Sequence, residues 1–394
     1  MARYDVAVVG GGPIGAVAAR HAAEQGARVL LVEQRRTPQE PAPCAGLITA
    51  KTLDILGASS SSVVGKIRGI DLEGPDAIKL SLRSDETKAV VVDRAALNRE
   101  LLAHAEAAGV EILRPAQVTD FSNSRLVVRP SGQPECSVDV GILIGADGPR
   151  SRVAGWLGLR RPRVVFPACQ VTLRAPHPHD VVTVTVGRDI APEFFLWTVP
   201  GQDGNLRIGM AGPPGSNVVE RLNRWIARRY AGHRVVERTA GAIPLSTVSP
   251  SAARYGLLVG DAAGQVKPIS GGGLYTGGLC AEPAGRLAAQ RALAKDSPSA
   301  VLSTYDAACD DLIGKELRFG QAIRRIIERM TDTEIHRLIE SANHPELLSF
   351  LAETADIDQL HALPRTLMRH PGLLTHALGM IGSLFADEGV ADSP

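Results

Sequence analysis

The stretch "YDVAVVGGGPIGAVAARHAAEQGARVLLVEQ" near the start of the chain leaves little freedom in what it folds into. "YDVAVVGGG" reads as a fully buried strand, "AVAARHAAEQG" as an alanine-rich helix stopped by Gly26, and "ARVLLVEQ" as a second strand. Gly10, Gly12 and Gly15 form G-x-G-x-x-G between the first strand and the helix. The first glycine permits the tight turn, the second lets a pyrophosphate approach the backbone, and the third lets the helix pack on the strand. The phosphates are expected on the positive end of the helix that begins near Pro13. Glu33 ends the second strand, about 20 residues after the glycines, where a carboxylate accepts both ribose hydroxyls of an adenosine. Arg35 and Arg36 follow, yet Glu33 repels a 2′-phosphate, so the expected adenosine carries none.

Beyond this β-α-β unit a helix is expected over about 95–108, then short strands up to "VGILIGADG". Between about 163 and 211 the pattern becomes alternating, in "VVFPACQVTLR", "DVVTVTVG", "FFLWTV" and "NLRIGMA", which predicts an antiparallel sheet. "YGLLVGDAAG" returns to a buried parallel-type strand, and from about 280 onward the spacing is helical. The α/β module is therefore read as discontinuous, over 1–60, 88–160 and 250–295. A sheet domain over 61–87 and 161–249 interrupts it, and a helical region over 296–394 follows.

Composition narrows the function. In 394 residues, Lys and Arg number 43 against 42 acids, for a net charge of +1, so no basic surface for nucleic acid is expected. The five cysteines, Cys44, Cys136, Cys169, Cys280 and Cys309, show neither CxxC nor metal-ligand spacing, and no metal is expected. "MARYDVAVVGGG" has too short an apolar run for a signal peptide or a membrane span, so a cytoplasmic protein is expected. His21 on the first helix reads as structural.

Two further strands each deliver an aspartate at their ends: Asp147 before Gly148 in "ILIGADGPRSRV", and Asp261 after Gly260 in "GLLVGDAAG". The order of G-x-G-x-x-G with Glu33, "DRAALNREL", "GADGPRSRV" and "GDAAG…P…GGG" resembles the FAD-binding flavoproteins typified by p-hydroxybenzoate hydroxylase. The resemblance covers nearly all of the first 295 residues. It implies an α/β fold, with a Rossmann-like FAD domain, an inserted antiparallel sheet that holds substrate, and C-terminal helices. It also implies that Asp261 binds the ribityl chain or pyrophosphate, that Asp147 and Gly148 border the flavin pocket, and that Arg94 anchors FAD. A surface residue flanking the helix cap at Asp93 is the alternative for Arg94.

Within that group, "GDAAGQVKPISGGGLYTGG" resembles the geranylgeranyl reductase branch, which hydrogenates isoprenoid C=C bonds. "EPAPCAGLIT" resembles its P-C-x-G segment, implying that Cys44, Ala45 and Gly46 lie near the flavin. "PEFFLWTVP" resembles its P-x-x-Y-x-W-x-F-P signature at Pro192, Trp197 and Pro200, with Phe195 in place of Tyr and Val199 in place of Phe. Phe195, Trp197 and Pro200 are thereby assigned to the substrate cavity. "FLWTVP" partly resembles the W-x-W-x-I-P motif of flavin-dependent halogenases, but Lys79 lies in an ordinary alternating strand.

Reduced flavin carries negative charge on one ring edge, and backbone N–H groups of Gly271, Gly272 and Gly273 at a helix start would face it, with Pro268 fixing the turn. Close packing alone is the other reading of the triplet. Hydride transfer to an unactivated alkene needs a proton donor, for which Cys44 and Tyr275 are the candidates, with Trp197 shaping the reacting surface. With no second G-x-G-x-x-G, the reductant is NAD(P)H bound transiently or a ferredoxin-like donor. A monooxygenase or halogenase, a flavoprotein passing electrons to quinone, and a non-catalytic FAD protein are the alternatives. The leucine-rich tail over 345–385, with Arg365, Arg369 and His370, is read as capping the core, and resting on a membrane is the alternative. Oligomeric state is left open.

Overall fold

The computed structural model describes residues 2–37, 44–294, 300–370 and 372–373. β1 (Arg3–Val9), α1 (Pro13–Glu24) and β2 (Val29–Val32) form the expected unit. Val6, Ala7 and Val8 are buried to both faces, and so are all four residues of β2, which fits central parallel strands covered on both sides. β3 (Leu47–Ile48), α2 (Ala50–Leu56), β4 (Val63–Ile67), β5 (Gly69–Glu73), β6 (Lys79–Arg83) and β7 (Ala89–Val92) lead to α3 (Arg94–Ala107). β8 (Glu111–Leu113), β9 (Ala116–Ser122), β10 (Arg125–Pro130), β11 (Cys136–Gly145) and α4 (Arg152–Trp156) follow.

The first sheet has a parallel core in the order β18-β11-β1-β2-β8, where β18 (Gly256–Leu258) returns more than a hundred residues after β11. β9 and β10 extend β11 as an antiparallel hairpin, and the two-residue β17 (Ala252–Ala253) edges β18. α1, α3 and α6 (Leu274–Leu293) cover one face in an alanine-rich cluster. α1 and α6 come close enough that a Cβ on Gly285 would clash with the Ala18 carbonyl oxygen.

The second sheet runs β16-β12-β15-β14-β13-β5-β6, with β12 (Val165–Arg174), β13 (Val181–Gly187), β14 (Ala191–Pro200), β15 (Asn205–Ala211) and β16 (Val235–Pro244). It is antiparallel except where β13 pairs parallel with β5. α5 (Val218–Arg229) packs Val218, Leu222 and Ile226 on its outer face. Residues 61–87 do not all join it: β4 pairs with β7 in a small sheet with β3, while β5 and β6 carry on to the large one. Alternating strands of this length fit either sheet, and only tertiary pairing decides.

α7 (Ala300–Cys309), a π turn at Asp310–Gly314, α8 (Lys315–Ile327), α9 (Asp332–Ala342), α10 (Pro345–Thr354) and α11 (Leu363–Leu367) complete the described chain. Of the expected tail over 345–385, the part from 374 onward lies outside the described residues. This region is tied to the α/β core by a buried ion pair. Lys267 Nζ donates to Asp358 Oδ1 at 2.6 Å and to the Ile357 carbonyl at 2.9 Å, while Asp358 Oδ2 accepts from Thr49 and Thr52. Asp358→Asn leaves the Lys267 cation buried without its counter-charge, and should lower unfolding free energy by about 3 kcal/mol in denaturant titrations. A variant as stable as the parent would show the pair to be dispensable.

Candidate functional site

A cleft of about 460 Å³ opens where the carboxyl ends of β1, β2 and β11 meet α1 and α3. Gly10, Gly12, Pro13, Glu33, Arg35, Cys44, Arg94, Asp147, Gly148 and Asp261 line it, so one cavity gathers residues spread over 250 positions of sequence. The glycines of the turn do different work. A Cβ on Gly10 would collide with the Ala146 carbonyl oxygen, and one on Gly15 with the Gly10 carbonyl oxygen. Nothing of the protein lies within 4 Å of a Cβ on Gly12, which therefore faces open cleft. Packing explains the outer two glycines, while the middle one leaves its side of the turn open to the cleft.

Glu33 is held in place at the end of β2, with Oε2 accepting from Gly11 N–H at 2.6 Å and Oε1 from Arg35 N–H at 2.7 Å. Asp147 Oδ2 accepts from Arg152 N–H at 2.7 Å in the first turn of α4, which Ser151 caps, yet its buried Oδ1 has no partner among the described residues. Arg94 Nε and Arg114 Nη1 are likewise buried without acceptors among the described residues. Orphaned buried polar atoms are costly, and three of them on one cleft wall fit a polar, phosphate-bearing ligand such as FAD. Arg94 thus faces the cleft and is no mere cap-flanking surface group; Arg114, Asn98, Gln117, Arg150, Arg152 and Trp156 share the lining without having stood out in the sequence.

Asp261 ends β18 at a short turn where Gly260 N–H donates to Gln265 Oε1 at 2.7 Å. Burial pushes its carboxyl up to about 6, with the Arg94 charge pulling the other way. It lies against the glycine triplet, since a Cβ on Gly273 would sit 3.0 Å from Asp261 Oδ1. The triplet itself departs from three free donors in a row. Gly271 N–H donates to the Lys267 carbonyl at 2.9 Å and the Gly272 carbonyl accepts from Lys267 N–H at 3.1 Å, closing a turn around buried Pro268. Gly272 N–H reaches Ser270 Oγ at 3.4 Å, and Gly273 N–H has no acceptor among the described residues. Gly271, at φ +69°, also abuts the sheet, where a Cβ would lie 3.2 Å from Phe194 Cζ.

Phe194 and Phe195 stack with ring centroids 4.3 Å apart, and Phe166 and Trp197 meet them edge-on at 6.1 Å each. Trp197 is not part of the cleft lining but reaches it through one side chain: its Nε1–H donates to Gln170 Oε1 at 3.1 Å, and Gln170 Nε2 donates to the Cys44 carbonyl at 3.4 Å. Cys44 Sγ accepts from Gly46 N–H at 3.4 Å, and the Ala45 carbonyl accepts from Arg207 Nη1 at 2.7 Å. Pro43 of the P-C-x-G segment lies outside the described residues. Pro200 is buried at the far end of β14 opposite Leu206, away from this cluster. Tyr275 turns the other way: its hydroxyl accepts from Gln359 Nε2 at 2.9 Å, and Lys51 Nζ sits 5.3 Å from its ring centroid. Lys79 pairs with Asp71 at 2.8 Å and His21 with Glu24, both outside the cleft. No group of three or more metal-ligating side chains occurs among the described residues.

Two outcomes follow from the geometry. Gly12→Ala should keep the parent's thermal stability while weakening FAD binding, whereas Gly15→Ala should fail to fold; equal behaviour of the two would overturn the division of roles. Asp261 titrates near 6 in the folded, flavin-free chain and near 3.8 when unfolded. Its penalty is absent below pH 4, grows between pH 4 and 6, and is full above that. Asp261→Asn should therefore stabilise the flavin-free chain by about 2–3 kcal/mol near neutral pH, lose that advantage in acid, and bind FAD less tightly. Melting temperatures across pH check the sign.

The family model for the FAD binding domain matches residues 3–240. Digeranylgeranylglycerophospholipid reductase 2 of Methanothermobacter thermautotrophicus is 31% identical over 365 residues, covering 88% of this chain and 94% of the relative. Among solved structures, a geranylgeranyl bacteriochlorophyll reductase-like protein from Thermoplasma acidophilum superposes with a TM-score of 0.83 at 20% identity, over 96% of this chain and 100% of that one. A p-nitrophenol 4-monooxygenase from Pseudomonas putida shares the fold at a TM-score of 0.70 and 17% identity, over 89% and 96%. With its dinucleotide cleft, orphaned cleft-wall charges and adjoining aromatic sheet, this chain belongs to the geranylgeranyl reductase family of FAD-dependent oxidoreductases.

Proposed function

We propose that the chain hydrogenates C=C bonds in the prenyl chains of a lipid, with FAD as the resident cofactor. The observation that carries this reading is the contact of Gly271 with Phe194: it sets an apolar, aromatic floor directly beside the turn that borders Asp261. A polyprenyl chain offers no polar group to grip, and stacked rings that exclude water suit it.

Gly10 to Pro13, Glu33, Arg94, Asp147 and Asp261 would hold FAD. When bound and reduced, FAD supplies a hydride. The protein's share is to place the alkene and to deliver a proton. Cys44 is the donor in position, because it lines the cleft and its segment is fixed to the aromatic sheet through Gln170 and Arg207. Tyr275 serves instead in the contact between α6 and the C-terminal region. Reducing equivalents come from NAD(P)H visiting transiently or from a ferredoxin-like donor.

The test is anaerobic reduction of the bound FAD, followed by mixing with prenyl lipids, prenyl diphosphates or quinones while flavin absorbance is read. Reoxidation by prenyl compounds, with products gaining two hydrogens per bond, is expected. Cys44→Ala should slow that step about 10²- to 10⁴-fold with FAD content unchanged. Reoxidation by quinone alone, or oxygen incorporation into product in air, would replace this reading with a quinone reductase or a monooxygenase.

A further inference from the structure

The helical run from the turn at Asp310–Gly314 through α8 has two faces of opposite character. The inner face buries Glu316, Leu317, Gly320 and Arg324. Gly320 lies on Pro268, where a Cβ would come within 2.8 Å of the proline Cδ. The Arg324 guanidinium sits 4.6 Å from the Phe166 ring centroid and 5.6 Å from that of Phe194. This helix therefore roofs both the glycine turn and the aromatic cluster.

On the outer face Leu312, Lys315, Arg318, Arg325, Ile326 and Arg329 are exposed at helical spacing, a single stripe about 25 Å long. Leu312 and Ile326 each leave 46% of their surface open. Arg318 pairs with Asp310, and the neighbouring acid on this face is Asp311. Lys315, Arg325 and Arg329 have no ion-pair partner among the described residues. A merely solvated face would set its charges in mixed sign and keep large aliphatic side chains inward. Cations alternating with exposed Leu and Ile instead match an anionic lipid interface, which takes up both.

We propose that this stripe docks the protein on an anionic bilayer, with α8 lying between the membrane and the aromatic cluster so that a prenyl chain enters from the lipid side. The proposal rests on the reading that the substrate is a membrane lipid. An acidic protein partner would also meet the cations, but it has no need of exposed Leu312 and Ile326 among them.

The experiment is co-sedimentation of the full-length, FAD-loaded protein with vesicles of phosphatidylcholine, alone or with one third phosphatidylglycerol. Binding to the anionic vesicles and little to the neutral ones is expected. The triple variant Lys315→Glu, Arg325→Glu, Arg329→Glu should lower that partition tenfold or more, on the order expected for reversing three interfacial charges. Leu312→Ser with Ile326→Ser should weaken it at unchanged charge, and both variants should keep their bound flavin. The idea is overturned if the parent stays in the supernatant with both vesicles, or if the charge-reversed variant binds as the parent does. Loss of binding only on charge reversal, with the serine variant unaffected, also overturns it, because the exposed Leu312 and Ile326 then take no part in the contact. Turnover of a detergent-dispersed prenyl alcohol is read separately: lost vesicle binding with turnover retained overturns this surface alone, and lost turnover overturns the proposed function.

Discussion

The contact on which the rest of the site hangs is the backbone approach of the β1–α1 turn to the end of β11. Gly10 lies against the Ala146 carbonyl, and Gly15 against the carbonyl of Gly10, at separations that exclude any side chain. Because the turn is pressed this close, the start of α1 borders the cleft beside Asp147 and Gly148. The same closeness recurs one layer out, where Gly285 of α6 sits on the Ala18 carbonyl of α1. α6 is the helix that the glycine triplet begins, so packing of small residues sets the distance between the β1–α1 turn and the triplet.

A second constraint joins the large antiparallel sheet to the small one. Gly46, buried at φ +75°, leaves room for Arg207 of β15, since a Cβ there would stand 2.7 Å from its Nη1. Burial pushes the Arg207 guanidinium below its usual range, and the carbonyls of Ala45 and Val92 offset that cost by accepting from it. Gln170 of β12 fixes the preceding residue in the same way and spends its other end on Trp197. Cys44 is thus positioned by the large antiparallel sheet as much as by the dinucleotide fold.

What the sequence reveals of this site divides by range. G-x-G-x-x-G, Glu33 and the strand-end aspartates are legible because each depends on a local strand and turn whose residue types are dictated within a few positions. Gln170 and Arg207 are invisible there, because a lone polar residue in an alternating strand looks the same whether it meets solvent or a buried carbonyl, and Arg114, in the connection between β8 and β9, carries no local mark either. Lys267 is hidden for a different reason: its partner Asp358 stands 91 residues later, in a helical region with no marking of its own. The triplet is half legible. Glycines before a helix announce close approach, but that Gly271 turns its N–H onto Lys267 and its open side onto Phe194 depends on β14 arriving from elsewhere.

Arg324 shows how these demands are met together. A helix carrying several cations must cover an aromatic floor, and a buried guanidinium there would ordinarily be expensive. Its charge is shared between the faces of Phe166 and Phe194, the Glu328 carboxylate at 2.8 Å and the Glu193 carbonyl at 3.3 Å, so no lone counter-ion intrudes on the apolar cluster. An aliphatic residue at 324 would pack the rings but abandon the Glu193 carbonyl, and a lysine would lose the planar stacking that lets the charge lie flat. The arginine therefore lets one helix turn a basic side outward and keep the packed aromatic cluster beneath it.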